Sequence, residues 1–294
     1  MEPVGGLKMS DYNGNGIIPG LLNEVQRGEQ PLSEEKRAFV RSIYALLEQF
    51  KTLNLEYLNG IQLARSMRVL EDPYFGPNDI QLNTLNSTMD NMVADYVDNM
   101  PEIVLMPETL GAEETARQMT DVLGWVMHHA NFPAVWQAAM EDAVVTGTGI
   151  IQGYYDDSLT VGGVDGNIGL INWPPESWLP DPLYDNFQDG RAVFKVCNHP
   201  MSYFLQHYPD LAQYISPDGQ SVLDYMQNAN KYNAQDYDDP LVCLLEVWYR
   251  RYDAEKKRHV IHMAKVAGGV LLEDSRDSED TEDGVYAHGR YPFV

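Results

Sequence analysis

Between Val144 and Tyr155 the hydrophobic pattern of the chain changes its period. Upstream, apolar residues recur at helical spacing; downstream they form short β-type runs, and the two regimes meet in VVTGTGIIQGYYDDS, across Gly147, Gly149 and Gly153. A chain that gathers helices in one half and strands in the other does not build alternating βαβ layers. The predicted fold class is therefore α+β, long N-terminal helices followed by a largely antiparallel, β-rich part.

The same glycine-rich run poses a chemical question. A phosphate loop of the Walker type needs a lysine after its last glycine to neutralise the charge its backbone N–H groups surround. None follows here, and no Lys or Arg occurs between Arg117 and Arg191. The dinucleotide fingerprint runs strand, glycine turn, helix, the reverse of the order in this chain. Gly147, Gly149 and Gly153 accordingly read as a structural hinge, with no cofactor and no cofactor-binding residue assigned.

The helical half begins at Ser33, a suitable N-cap followed by Glu34 and Glu35, which favour the positive end of the helix dipole. Phe39, Ile43, Leu46, Leu47, Phe50, Tyr57, Leu58 and Ile61 share one face, so a helix is expected to about Arg68, with Gly60 as its weak point. A second helix is predicted from about Asp79 to Met100, carrying Leu82, Leu85, Met89, Met92, Val93, Tyr96 and Met100 on one stripe; a packed core face is preferred to an adaptable partner surface. PEIVLMP (101–107) reads as a short strand. Glu113–Ala130 is a third helix with Ala116, Met119, Val122, Leu123, Val126 and Ala130 inward, and Pro133–Thr146 a fourth, burying Trp136, Ala139, Met140 and Ala143 and turning Glu141 and Asp142 away. Gly147 closes it in the left-handed conformation.

Strands are expected in GIIQGYYD, NIGLINW, RAVFKVCN, LVCLLEVWYRRYD, RHVIHMAKV and GVLLED, with short helices near 201–207 and 221–228 and a solvated loop over the acidic run 273–283. These readings divide the chain into an extended arm (1–32), a helical part (33–147) and a β-rich part (148–294).

Acidic residues outnumber basic ones 44 to 20, a formal charge of −24. That balance opposes sequence-specific DNA binding and attraction to anionic membranes. No apolar run approaches the ~20 residues needed to span a bilayer. Cys197 and Cys243 both lie in β-type apolar patterns and read as reduced, buried thiols. Asp11, Asn13, Asn15, Gly16 and Ile18 imitate the front of a calcium loop, but Leu22 stands where the bidentate Glu belongs. Adjacent His128 and His129 point about 100° apart on a helix and lack partners at metal-ligand spacing. No metal or catalytic residue is assigned, and a carboxylate-based hydrolase is the remaining enzyme reading.

Several local motifs, in order, resemble the portal proteins of tailed bacteriophages. NTLNSTMDNMVADYVDNMPEIVLMPET is similar to the portal helix that leads into a Pro-x-Ile-x-Val-x-Pro segment. AMEDAVVTGTGIIQGYYDD resembles the family's helix, glycine turn and strand, with Asp142, Gly147, Gly149 and Asp156 in the motif positions. INWPPESWLPDP resembles a loop ending in Asp-Pro, DGRAVFKVCNHPMSYFLQHYPD the following Asp-x-Arg strand and helix, and AHGRYPFV the segment before the channel-lining stem helix. The resemblance covers about Asn83 to Val294. It implies the wing part of a ring subunit, typically in a dodecamer, at one capsid vertex, through which double-stranded DNA passes without sequence specificity during packaging and ejection. Expected partners are the terminase motor, scaffold, major capsid and head-completion or tail proteins; the location is the virion, and the host cytoplasm during assembly. The family's stem, clip and crown have no counterpart in these 294 residues, which implies a chain truncated before them. Another virion component, a head–tail connector or minor capsid protein, is the alternative within the same class.

Overall fold

The fold is α+β, as expected, in two compact units that each draw on both halves of the sequence. The computed structural model describes residues 30–68, 84–161, 164–216, 239–254, 257–278, 281, 284–286 and 288–294. The calcium-like motif and the helix expected near 221–228 lie outside them.

The first unit comprises residues 1–54 and 179–291. Helix α1 (Glu34–Leu53) starts at Ser33, whose hydroxyl accepts from the Lys36 N–H at 3.3 Å, and it buries Val40, Ile43, Leu47 and Phe50. That face lies on a five-stranded antiparallel sheet of β3 (Trp178–Pro180), β4 (Ala192–Pro200), β5 (Leu241–Asp253), β6 (Arg258–Ala267) and β7 (Val270–Asp274), ordered as in sequence. Phe50 meets Phe194 edge-on with ring centroids 5.4 Å apart, the favourable quadrupole arrangement, and Phe39 meets Tyr249 at the same separation. Helices α6 (Met201–His207) and α7 (Pro209–Ala212) put Met201, Phe204 and Ala212 on Val242, Leu244, Ala267 and Val270. Lys195 and Glu246, directly opposed between β4 and β5, form a buried ion pair at 2.5 Å.

The second unit comprises residues 55–178 and 292–294. Helix α5 (Phe132–Thr146) is its centre, packing against α2 (Leu55–Arg68), α3 (Thr84–Asp98), α4 (Glu113–His129) and the antiparallel hairpin β1 (Ile151–Val161) and β2 (Val164–Asn172). Phe132, Ala139 and Ile151 form its core, with Met127, Val135, Trp136, Met140 and Leu170 packed around them.

Several local expectations are corrected. The long first helix breaks at Asn54, and Gly60 sits inside α2. Asn54 leaves helical geometry (φ −92°, ψ 8°), and its buried amide donates to the carbonyls of Phe50 (3.0 Å) and Pro180 (3.3 Å), which ties the end of α1 to β3. Residues 101–107 are exposed and join no sheet; the Leu105 N–H donates to Thr120 Oγ1 at 3.1 Å, which ties the segment to α4 at one point. The stripe of α3 is not a core face: Val93 is buried, but Leu85, Met92, Tyr96 and Met100 stay 38–48% exposed. Helix α4 buries no residue fully, and Met119 and Val122 face solvent. β3 has no counterpart among the expected strands. The acidic run is not wholly solvated, because Asp274 is buried at the end of β7 and ion-paired to Arg276 at 2.5 Å. Cys243 is buried, Cys197 half-buried, and neither forms a disulfide; burial pushes the Cys197 thiol up to about 12.

Candidate functional site at the helix-to-strand junction

In the second unit, α5 hands over to β1 within four residues. Gly147 takes φ +84°, which L side chains rarely adopt, and its N–H donates to the Ala143 carbonyl at 2.9 Å, closing the helix. A Cβ there would meet open space, so the requirement is purely one of backbone conformation. Gly149 differs: its backbone rests so close to the Ala139 carbonyl that a Cβ would overlap that oxygen. Gly153 lies inside β1 with room for a Cβ, which would make only an ordinary contact with Leu170.

Around this turn sits a polar clamp that the sequence pattern did not reveal. Asp142 points inward, contrary to expectation. Its Oδ1 accepts from Arg65 Nη2 and its Oδ2 from Asn172 Nδ2, both at 2.8 Å. Arg65 also donates to Glu176, through Nη2 at 2.9 Å and through Nε. One guanidinium thereby joins α2, the end of α5 and the turn at 175–177, while Asn172 fixes the end of β2, paired with Ile151 at the start of β1. Burial alone would lower the Arg65 pKa; the hydrogen bonds to Glu176 and Asp142 reverse this and raise it above its ordinary value. The cation is supplied from outside the stretch between Arg117 and Arg191, where local reading finds none.

The last residues complete the unit. The Ile151 N–H donates to the Val294 carbonyl (2.9 Å), the Val294 N–H to the Ile151 carbonyl (3.0 Å) and the Gly153 N–H to the Pro292 carbonyl (3.1 Å), so Pro292–Val294 extend β1 at its edge. Phe293 is buried against Trp178, ring centroids 6.2 Å apart.

The first unit joins the remaining motifs. Asp181, of the Asp-Pro pair, is buried and accepts from Arg191, of the Asp-x-Arg pattern, through Nε (2.6 Å), Nη2 (3.1 Å) and the backbone N–H (3.1 Å), and from the Leu183 N–H (3.2 Å). Burial alone would raise this carboxyl; the Arg191 and Leu183 bonds outweigh it and hold it below the usual range. Tyr291 donates its hydroxyl to the Gly190 carbonyl at 2.9 Å, and its backbone exchanges two hydrogen bonds with the Gln188 amide.

These features position backbone. His128 and His129 meet edge to face at 5.6 Å, and His129 lies on Trp125. Among the described residues no cluster of three or more His, Cys, Asp or Glu is arranged to hold a metal ion, and no helix is long and apolar enough to cross a membrane. An open groove between α3 and α5 is lined by Asp90, Val93, Ala94, Val97, Asp98, Gln137 and Glu141, with no cationic side chain among the described residues that line it.

Comparison with protein families matches residues 52–289 to the Phage P22-like portal protein family. The chain belongs to that family. The portal match contains the whole junction from Asp142 to Gly153, the Arg65 clamp and the Asp181–Arg191 pair, and the family is a structural one. A search of curated proteins returns no match.

Proposed function

We propose that the chain is a subunit of a portal ring at one capsid vertex, through which double-stranded DNA is packaged and ejected and to which the tail attaches. The observation that carries this reading is the portal-family match over residues 52–289, which includes both internally clamped motif clusters. The ring is a homo-oligomer, a dodecamer in the family's typical form. Its partners are the terminase motor, scaffold, major capsid and head-completion proteins, and its place is the virion, reached from the host cytoplasm. The subunit performs no catalysis and takes no cofactor. Residues 33–147 and 148–294 serve as the helical and β-rich parts of the wing, and Gly147, Gly149 and Gly153 as the hinge between them. The charge of −24 supports passage of DNA without grip, since an acidic wall repels phosphates that a basic one would hold individually. Mass measurement and electron microscopy of the purified complete gene product test this reading. One dominant ring-shaped oligomer with a central channel is expected; a stable monomer at high concentration overturns it.

A further inference from the structure

The charges of this chain are unevenly shared. Residues 55–178 carry 18 Asp and Glu against 3 Lys and Arg, a net of −15. Of those cations, Arg65 is held by Asp142 and Glu176, and Arg117 by Glu114 and Asp121. This acidic body also carries an exposed apolar face. Segment 101–107, tied to α4 through the Leu105–Thr120 hydrogen bond, exposes Ile103 (49%), Val104 (61%) and Met106 (85%). Glu102 and Glu108 bracket these residues in sequence, and Asp121 follows the Thr120 that holds the segment, all exposed. The opposite composition occurs in the first unit. RRYDAEKKRH (250–259), where β5 turns into β6, holds 5 of the chain's 20 Lys and Arg in ten residues. Arg251, Lys257 and Arg258 are exposed there, as is Tyr252 at 56%.

We infer that neighbouring copies of this chain meet head to tail, the basic end of the β5–β6 hairpin of one copy docking on the exposed apolar segment 101–107 of the next, between its acidic neighbours. This inference rests on the ring reading and specifies its contact. The apolar face needs an occupant, because contiguous exposed apolar surface marks interaction sites. A two-fold contact of this face with itself would set carboxylates against carboxylates. The same chain supplies the complement, Arg and Lys to pair with Glu102, Glu108 and Asp121, and a Tyr ring for the apolar floor, the residue types that favour interface cores. A contact between two different patches of one chain is heterologous, and it closes into a ring when the rotation between copies permits. Nucleic acid is the poorer occupant for the hairpin, since the chain as a whole repels it.

Complementary charge reversal tests this. One variant carries Arg251→Glu, Lys257→Glu and Arg258→Glu; the other carries Glu102→Lys, Glu108→Lys and Asp121→Lys. All six positions are exposed, so each variant should keep the wild-type melting curve. Sedimentation near physiological salt should show each variant alone losing ring on the order of tenfold or more, as like charges now face each other at every contact. An equimolar mixture of the two should recover rings, because every contact in an alternating ring is then complementary, and two misfolded proteins could not rescue each other. Full rings from either variant alone overturn the inference. So does a mixture that fails while a single chain carrying all six changes assembles, which would place the pairing within one chain. Wild-type protein that forms no oligomer overturns instead the ring reading on which the inference stands.

Discussion

Arg65 neutralises two carboxylates at once, with the Asp142 and Glu176 side chains 12% and 14% exposed. Removing it strands both. Arg65→Met should cost the second unit about 2–4 kcal/mol, slightly below the range for breaking a fully buried pair because Arg65 keeps 33% of its side chain exposed. Urea unfolding checks the magnitude, and a cycle with Asp142→Asn should show strong non-additivity, as both changes break the same contact. The Asp181–Arg191 and Asp274–Arg276 pairs give the first unit a pH dependence. In each, burial favours the neutral acid, but the arginine's hydrogen bonds win and hold the folded carboxyl below its ordinary value. A lowered folded pKa gives stability that is present above the unfolded value of about 4 and lost as pH falls through the folded one. His199 and His262 add an earlier step, since burial lowers both, with Lys195 and His207 reinforcing it at His199 and Arg251 and Arg276 at His262, against Glu246 and Asp274. Their unfolded forms take up protons first, so stability begins to fall below about pH 6.5. Thermal melts from pH 7 to pH 3 should show a shallow loss and then a steeper one. Asp181→Asn should lower the neutral-pH melting temperature and flatten the acid limb; an unchanged acid limb contradicts the assignment.

The three junction glycines make different demands, and substitution separates them. Gly147→Ala meets open space but keeps a positive φ, so it should cost about 1 kcal/mol. Gly149→Ala forces a methyl against a helix carbonyl that the α5 backbone cannot move cheaply, and it should cost more than Gly147→Ala, about 2 kcal/mol or above. Gly153→Ala should change the melting temperature little. Equal effects at all three positions would mean that the glycines act only through chain flexibility. These elements also mark how far the sequence could be read. α1, α4, α5 and most strands were legible because their apolar spacing reflects neighbours along the same element. The break at Asn54 was not, since it depends on a carbonyl at Pro180, 126 residues away. The inward turn of Asp142 depends likewise on Arg65, 77 residues earlier. Segment 101–107 has the composition of a strand, but strand formation needs a partner ladder and this segment has a hydroxyl instead. Patterning likewise marked the Met-rich stripe of α3 as apolar without indicating whether the chain itself would cover it.

At the scale of the whole molecule, two electrostatic effects act on assembly over different distances. Each copy carries −24, so approaching copies repel at long range, whereas the inferred contact between the β5–β6 hairpin and segment 101–107 pairs opposite charges at a few ångströms. Screening removes the first before the second, because the Debye length falls from ~30 Å at 0.01 M to ~8 Å at physiological ionic strength and ~3 Å at 1 M. At 0.01 M the repulsion between whole subunits is nearly unscreened and monomer should dominate. At 0.15 M repulsion across a subunit diameter is largely gone while side-chain pairs survive, and the ring fraction should be greatest. Near 1 M sodium chloride the pairs weaken too, leaving the apolar face around Val104 and Met106 to hold the contact, so rings should dissociate in part. Sedimentation velocity across these three salt concentrations reads the curve directly. A ring fraction that rises all the way to 1 M would show that apolar burial alone holds neighbouring copies together. One that falls from the lowest salt onward would show that local pairing outweighs the net charge even when that charge is unscreened.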